Sequence, residues 1–379
     1  MRKRLFLPLG LLALAGLFTA CSGKRDDSVI RVGEFSSLTG SEATFGISTH
    51  EALTLAIDQA NAAGGVNGKK LQLITLDNQG KPDETVVAVT RLINQDKVHA
   101  IIGEVASSRS LAAAPICQAA KVPMISPAST NVAVTEKGDY IFRACFIDPF
   151  QGKVMADYAF NALKLRRAAI LRDLKSDYSM GLSDVFKARF TQLGGQVVAE
   201  DSYSGGDMDF KAQLTNIRAK APQIIYCPGY YTEVGLIAKQ ARALGINEPL
   251  AGGDGYDSPK LAEIAGAAAL EGYYYSNHYT PESDDPRVQG FVKQYVERWH
   301  HVPDALAALG YDAGGMLVEA LKRSKSLNGP DLRDAIAATK AYPGVTGDIT
   351  LDEHRNPSKS AVVLKITGGK ARFVATVKP

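Results

Sequence analysis

The 379-residue chain is short of the residues and motifs that catalysis leaves in a sequence. Its six histidines, at positions 50, 99, 278, 300, 301 and 354, show no HExxH spacing, and its four cysteines form no CxxC pair. The common zinc sites are therefore excluded, and neither a metal nor a cofactor is expected. No GxGxxG follows a strand pattern and no GxSxG elbow occurs, so dinucleotide chemistry and the α/β-hydrolase nucleophile have nothing to rest on. The run Gly65-Val66-Asn67-Gly68-Lys69-Lys70 approaches a P-loop, but it lacks the leading glycine and the hydroxyl after the lysine. It reads instead as a hairpin turn. A binding protein rather than an enzyme is expected.

Charge of one sign is also missing. Three of the 43 basic residues lie in the first four positions, so 40 remain against 40 acidic residues. The body of the chain is neutral, and nucleic acid is not an expected partner. Cysteine is too scarce for a disulfide framework. A pair such as Cys117–Cys145 and three separate buried thiols, Cys227 included, both fit the sequence, because only a Cα separation near 5.5 Å would decide.

Long apolar runs are absent except at the start. Arg2, Lys3 and Arg4 precede Leu5–Phe18, about 14 apolar residues, short of the roughly 20 that span a bilayer as a helix. Basic-then-apolar order is that of an export signal, over residues 1–20. It ends Leu17-Phe18-Thr19-Ala20-Cys21, small residues before a cysteine, so lipidation of Cys21 is expected; Phe18 is bulkier than the usual residue there. Residues 21–28 are small and polar, a tether. The expected location is the periplasm or cell surface, anchored to a membrane by lipid.

From Ile30 the chain alternates strand and helix patterns, pauses near Asp148-Pro149, and resumes the same rhythm. Two α/β units with parallel sheets are expected, since roughly 350 residues exceed one core. Antiparallel strands close the chain, at Ala361–Thr367 and Arg372–Val377, which implies connections running back between the units.

In open α/β sheets ligands sit beyond the carboxyl ends of the strands. The loops there share a chemistry. Ser107-Ser108 opens a helix after the strand ending at Gly103, where hydroxyls and free N–H groups suit an anion; simple N-capping is the structural alternative. Ser126-Pro127-Ala128-Ser129-Thr130 offers the same groups after the next strand. Asp254, within Gly252-Gly253-Asp254-Gly255, suits an ammonium, or is an ordinary turn aspartate. Tyr178 and Gly229-Tyr230-Tyr231 would wall a pocket. An anion site on one unit and a cation site on the other match a zwitterion.

Taken in order, Ala63-Gly64-Gly65-Val66-Asn67-Gly68-Lys69, Ile102-Gly103 with Ser107-Ser108, Ser126–Thr130, Gly229-Tyr230, Gln240–Gly245, Gly253-Asp254-Gly255 and Gly310-Tyr311-Asp312-Ala313 resemble the leucine/isoleucine/valine-binding proteins. These are periplasmic receptors of branched-chain amino acid ABC transporters, and the likeness runs from Ile30 to Val377. It implies two doubly wound parallel-sheet lobes joined by a three-strand hinge, the type I periplasmic binding fold. The lobes would comprise residues 29–148 with 278–353, and 149–277 with 354–379. By the same resemblance Ser107, Ala128 and Thr130 hold the α-carboxylate and part of the ammonium, with Ser129 among the ligand-binding residues; Asp254 holds the ammonium, Tyr178 and Tyr230 close from the second lobe, and Phe45 flanks the side chain. Asp254 stands where many relatives carry Glu, and Gly80 and Ala106 where some place a disulfide. The implied partners are an amino acid and the permease and ATPase subunits of an importer, the receptor itself being a monomer. Two alternatives stay open: a sensing clamp for a membrane receptor, and an importer receptor for an amide, urea or aromatic acid.

Overall fold

The computed structural model describes residues 28–379; the expected export signal and Cys21 lie outside the described residues. The first sheet is built from β1 (Val29–Ser36), β2 (Lys70–Asp77), β3 (Ala100–Ile102), β4 (Met124–Ser126) and β5 (Ile141–Arg143). Between them run α1 (Ala43–Ala62), α2 (Pro82–Asn94) and α3 (Ser107–Ala120). The second sheet begins after α4 (Asp148–Asp157) and takes β6 (Arg167–Asp173), β7 (Gln196–Tyr203), β8 (Ile224–Tyr226), β9 (Leu250–Gly252) and β10 (Tyr274–Asn277). Its helices are α5 (Asp177–Gln192), α6 (Lys211–Ala219), α7 (Tyr231–Ala243) and α8 (Pro259–Ala265). Then come α9 (Pro286–Trp299), α10 (Ala305–Arg323), α11 (Gly329–Ala337), the hairpin β11 (Tyr342–Gly344) and β12 (Gly347–Ile349), and finally β13 (Ala361–Thr367) and β14 (Lys370–Val377).

Local chemistry explains most of these boundaries. Asn67 and Gly68 both take positive φ, 51° and 77°, so the P-loop-like run is a tight turn bridged Val66 to Lys69. Helix α2 has Pro82 at its start, Asp83 and Glu84 in the first turn and Arg91 in the last, each placed favourably in the helix dipole. Its buried face is Thr85, Ala88, Val89, Leu92 and Ile93. Val86 is 41% exposed, and Thr85 takes the inward place in that turn, its hydroxyl donating to the Lys81 carbonyl at 2.9 Å and accepting from Asn78 Nδ2 at 3.0 Å. Helix α5 starts at Asp177 because the Ser176 hydroxyl caps it by accepting from Ser179 N–H.

Both sheets are doubly wound. The first runs β2-β1-β3-β4-β5, all parallel. The second runs β14-β13-β10-β9-β8-β6-β7, parallel from β7 to β10 and antiparallel at β13 and β14. In the first unit α10 packs back on α1, burying Leu53 and Ile57 with Ala313, Met316 and Leu317. The two helices approach closely because a Cβ at Gly310 would stand 2.8 Å from the Thr49 carbonyl oxygen. The chain therefore passes between the units three times: after β5, after β10 and after β12. Buried Lys359 ties two of these passages, donating to the Ala144 carbonyl at 3.0 Å and to the Thr346 hydroxyl. Asp312 in turn accepts from the Val345 and Thr346 N–H groups. Cys117, Cys145 and Cys227 are buried and unpaired, and burial holds their thiols protonated.

Candidate functional site between the two lobes

A strand order of 2-1-3-4-5 reverses winding between its first and third strands, and loops diverge at that point to leave a crevice. The first sheet has its crevice beyond β1 and β3. The second has the same order, β7-β6-β8-β9-β10, with its crevice beyond β6 and β8. The two crevices face one another. Phe45, Val105, Ala128 and Leu306 from the first lobe and Tyr178, Tyr230, Asp254 and Gly255 from the second wall one tightly closed cavity of about 10 Å3.

The aromatic wall is ordered by ring packing. Tyr178 and Tyr230 stack at 5.2 Å between centroids, and Phe45 meets Tyr230 edge-on at 5.6 Å. Tyr178 enters close to the backbone because a Cβ at position 253 would collide with its hydroxyl; only glycine fits there.

Asp254 is 4% exposed, and a carboxylate so buried needs partners. Gln151 Nε2 donates to Oδ1 at 2.8 Å, and the Tyr178 hydroxyl donates to the same oxygen at 3.0 Å. His278 Nε2 stands 3.1 Å from Oδ2. Burial lowers the His278 pKa despite the neighbouring carboxylate; facing a carboxylate oxygen, Nε2 is the donor, and the ring stacks on Phe146 at 3.7 Å. A second carboxylate, Asp148, lies buried behind Thr130. Neither of its oxygens, nor the Thr130 hydroxyl, makes a well-formed hydrogen bond. Burial, with the charge of Asp254 adding to it, pushes Asp148 up to about 7, while the Thr130 hydroxyl and Arg143 work the other way.

The first lobe presents the opposite polarity. Helix α3 begins at Ser107 with Ala106 as its N-cap and no side-chain cap, so the capping alternative for Ser107 is overturned. Ser107 is buried, and its hydroxyl accepts from Asn131 N–H at 3.3 Å. An uncapped, buried helix N-terminus is suited to an anion. The loop Ser126–Thr130 divides in two. Ala128 lines the cavity and Thr130 lies buried beside Asp148. The Ser129 hydroxyl is turned inward, donating to the Glu104 and Val105 carbonyls at 2.9 and 3.0 Å, so it braces the loop instead of facing the cavity. Where the resemblance placed a disulfide in some relatives, Arg109 Nη1 bonds the Gly80 carbonyl at 3.2 Å.

Of the residues expected from sequence, Phe45, Ala128, Tyr178, Tyr230 and Asp254 meet at the cavity; Ser107 and Thr130 are buried two residues beyond its lining residues Val105 and Ala128, and do not line it. Val105, Leu306, Gln151, His278 and Asp148 were not anticipated. Val105 and Asp148 sit beside residues that were read, in the loop after β3 and at the Asp148-Pro149 break. Leu306 starts α10, some 260 residues from Phe45, and nothing local announces it. Among the described residues no cluster of His, Cys, Asp or Glu is arranged to hold a metal ion.

Two α/β lobes enclosing a small cavity, with polarity split between them, define a solute clamp. The periplasmic binding protein family profile matches residues 29–370. Leucine binding protein LivK from Thermotoga maritima superposes with a TM-score of 0.89 at 40% identity, covering 93% of this chain and 99% of that one. The branched-chain amino acid transporter substrate binding protein LivJ from Streptococcus pneumoniae, in complex with isoleucine, gives 0.88 at 33%, covering 93% and 100%. An amino acid binding protein from Pseudomonas aeruginosa is 33% identical over 300 residues, 79% of each chain. The chain belongs to the periplasmic binding protein family, as an ABC transporter substrate-binding protein of the Leu/Ile/Val-binding type. It is an extracytoplasmic ligand-binding protein and not an enzyme. Among the described residues no helix is long and apolar enough to cross a membrane.

Proposed function

We propose that the protein captures an α-amino acid with a branched or otherwise apolar side chain and delivers it to an importer's permease and ATPase. One observation carries this reading: buried Asp254 on one lobe and, on the other, Val105, the residue just before the N-cap of uncapped helix α3, wall a single cavity with an apolar lining. The α-carboxylate would take the Ser107 end of α3, the Ala128–Thr130 backbone and the Thr130 hydroxyl; the ammonium would take Asp254. Desolvating either charge without a partner costs several kcal/mol, so the fixed pair demands the amino-acid backbone. Phe45, Val105, Tyr178, Tyr230 and Leu306 then read the side chain by shape. Each lobe satisfies half of the ligand, so the ligand favours the closed arrangement.

The same reading places the protein at a membrane through lipid on Cys21, as a monomer. Cys21→Ala, followed by fractionation, is expected to release it as a soluble protein. A thermal-shift screen of the twenty amino acids tests the ligand: the true one stabilises by about 2.7 kcal/mol at a hundred times its dissociation constant. A shift with benzoates or small amides and none with amino acids would replace the proposed ligand class.

A further inference from the structure

The lobes touch on both sides of the cavity, and the two sets of contacts differ in kind. On one side Thr44 Oγ1 and Ser258 Oγ lie 2.9 Å apart, Thr44 N–H reaches the Tyr231 hydroxyl at 3.4 Å, and Thr232 Oγ1 donates to the Ser41 carbonyl at 2.6 Å. On the other side two helix beginnings meet. Ser108 Oγ, in the first turn of α3, donates to Asp177 Oδ2 at 2.7 Å and accepts from Asp177 N–H at 3.1 Å. Asp177 opens α5, and its carbonyl accepts from Asn131 Nδ2 at 2.8 Å.

The contact caps one helix from the opposite lobe. The Asp177 carboxylate takes only the Ser108 hydroxyl and no backbone N–H of α3, which leaves the uncapped α3 end to the ligand. In α5 the Ser176 hydroxyl takes the Ser179 N–H, leaving the Asp177 N–H to Ser108. All three bonds cross between lobes, so all three must break before the lobes part. Because the cavity walls come from both lobes, parting must precede release of anything inside.

We infer that this cross-lobe cap, Ser108 with Asp177 and supported by Asn131, is the latch that holds the clamp shut and sets the residence time of its ligand. The inference rests on the clamp reading above. Asp177 does not wall the cavity; it acts on the ligand through closure, as a positioning residue. Ser108 follows Ser107 on the same helical turn, so a ligand that fixes that turn also fixes the latch's donor.

Stopped-flow displacement, using whichever amino acid gives the largest thermal shift, tests the latch. Asp177→Ala is expected to dissociate the ligand about fivefold faster or more, a loss typical of one or two exposed hydrogen bonds, with association changed less than about twofold. Asp177→Asn keeps an oxygen for Ser108 and is expected to fall between the two. An unchanged dissociation rate in Asp177→Ala overturns the latch, as does a ligand-free variant melting several degrees below the parent, which would make the role one of stability. Spin labels at Val87→Cys and Met208→Cys in a Cys21→Ser chain give a readout that needs no ligand. Both positions are exposed, at 64% and 76%, on opposite lobes. Asp177→Ala should deplete the short-distance population; an identical distance distribution overturns the latch. If no amino acid shifts the parent protein, the ligand reading fails, and the label distances still decide the latch.

Discussion

The two lobes share one topology and differ in what their strand ends carry. The first sets a helix N-terminus, a buried threonine and close-packed backbone at its crevice. The second sets a carboxylate and two stacked tyrosines at the equivalent place. The difference shows that a doubly wound sheet supplies a position and not a chemistry. Two copies of one frame, loaded with opposite polarity, would read both ends of the proposed zwitterion only when they meet.

The contrast is broken most completely at Asp254. Asp254→Ala removes the proposed ammonium partner and leaves Gln151, Tyr178 and His278 facing a void, so affinity should fall at least about tenfold, roughly 1.4 kcal/mol, by calorimetry. Asp254→Glu should retain binding better than Ala, because it keeps the charge.

The opposite pole is tested by Thr130→Val, which preserves shape and removes the hydroxyl. A loss of about 1 kcal/mol or more is expected, or about fivefold in affinity for an amino acid. Its amide, which carries no carboxylate charge, should lose less. Equal losses for the two ligands would place Thr130 away from the carboxylate end.

The apolar wall is sharpened by Leu306→Ala. The buried truncation should cost about 2–3 kcal/mol of stability in chemical denaturation and shift preference severalfold toward larger side chains.

A smaller effect concerns pH. The folded-state pKa of Asp148 lies near 7, above its ordinary value of 3.8, so the native state binds more protons than the unfolded chain between those limits. Its contribution to stability is therefore fully present below pH 4 and is lost as pH rises through about 7. Asp148→Asn should flatten that slope when denaturation midpoints at pH 5 and 7.5 are compared; an unchanged slope would assign it to another group.

Much of the fold could be read because buried parallel strands appear as short apolar runs between amphipathic helices. Residues such as Ile101, Ile102 and Ile125 are buried on both faces and leave no ambiguity of strand face. Helix α11 was not anticipated: its Asn328-Gly329-Pro330 start reads as a turn, although Asn328 accepts from Asp331 N–H and caps the helix. The hairpin β11–β12 leaves little local signal, because its turn is held by Asp312, far away in sequence. At the site, residues lying just beyond a strand end could be found in sequence, hence Phe45, Ala128, Tyr178, Tyr230 and Asp254. Those delivered by a helix or a crossing segment from elsewhere could not. Leu306, Gln151 and His278 depend on how the lobes are joined, which no local pattern encodes. Ser129 was assigned by its neighbours; its hydroxyl instead follows the carbonyls of a loop that sequence did not reveal.

The central claim is that one lobe holds the carboxylate and the other the ammonium of a single ligand. Calorimetry with L-leucine, 4-methylpentanoate and 3-methylbutylamine, which share the side chain and differ in the charged groups, tests it most directly. Measurable binding of leucine is expected, with at least about hundredfold weaker binding of both analogues, since each leaves one buried pole unpaired. Binding of 4-methylpentanoate as tight as that of leucine would contradict it.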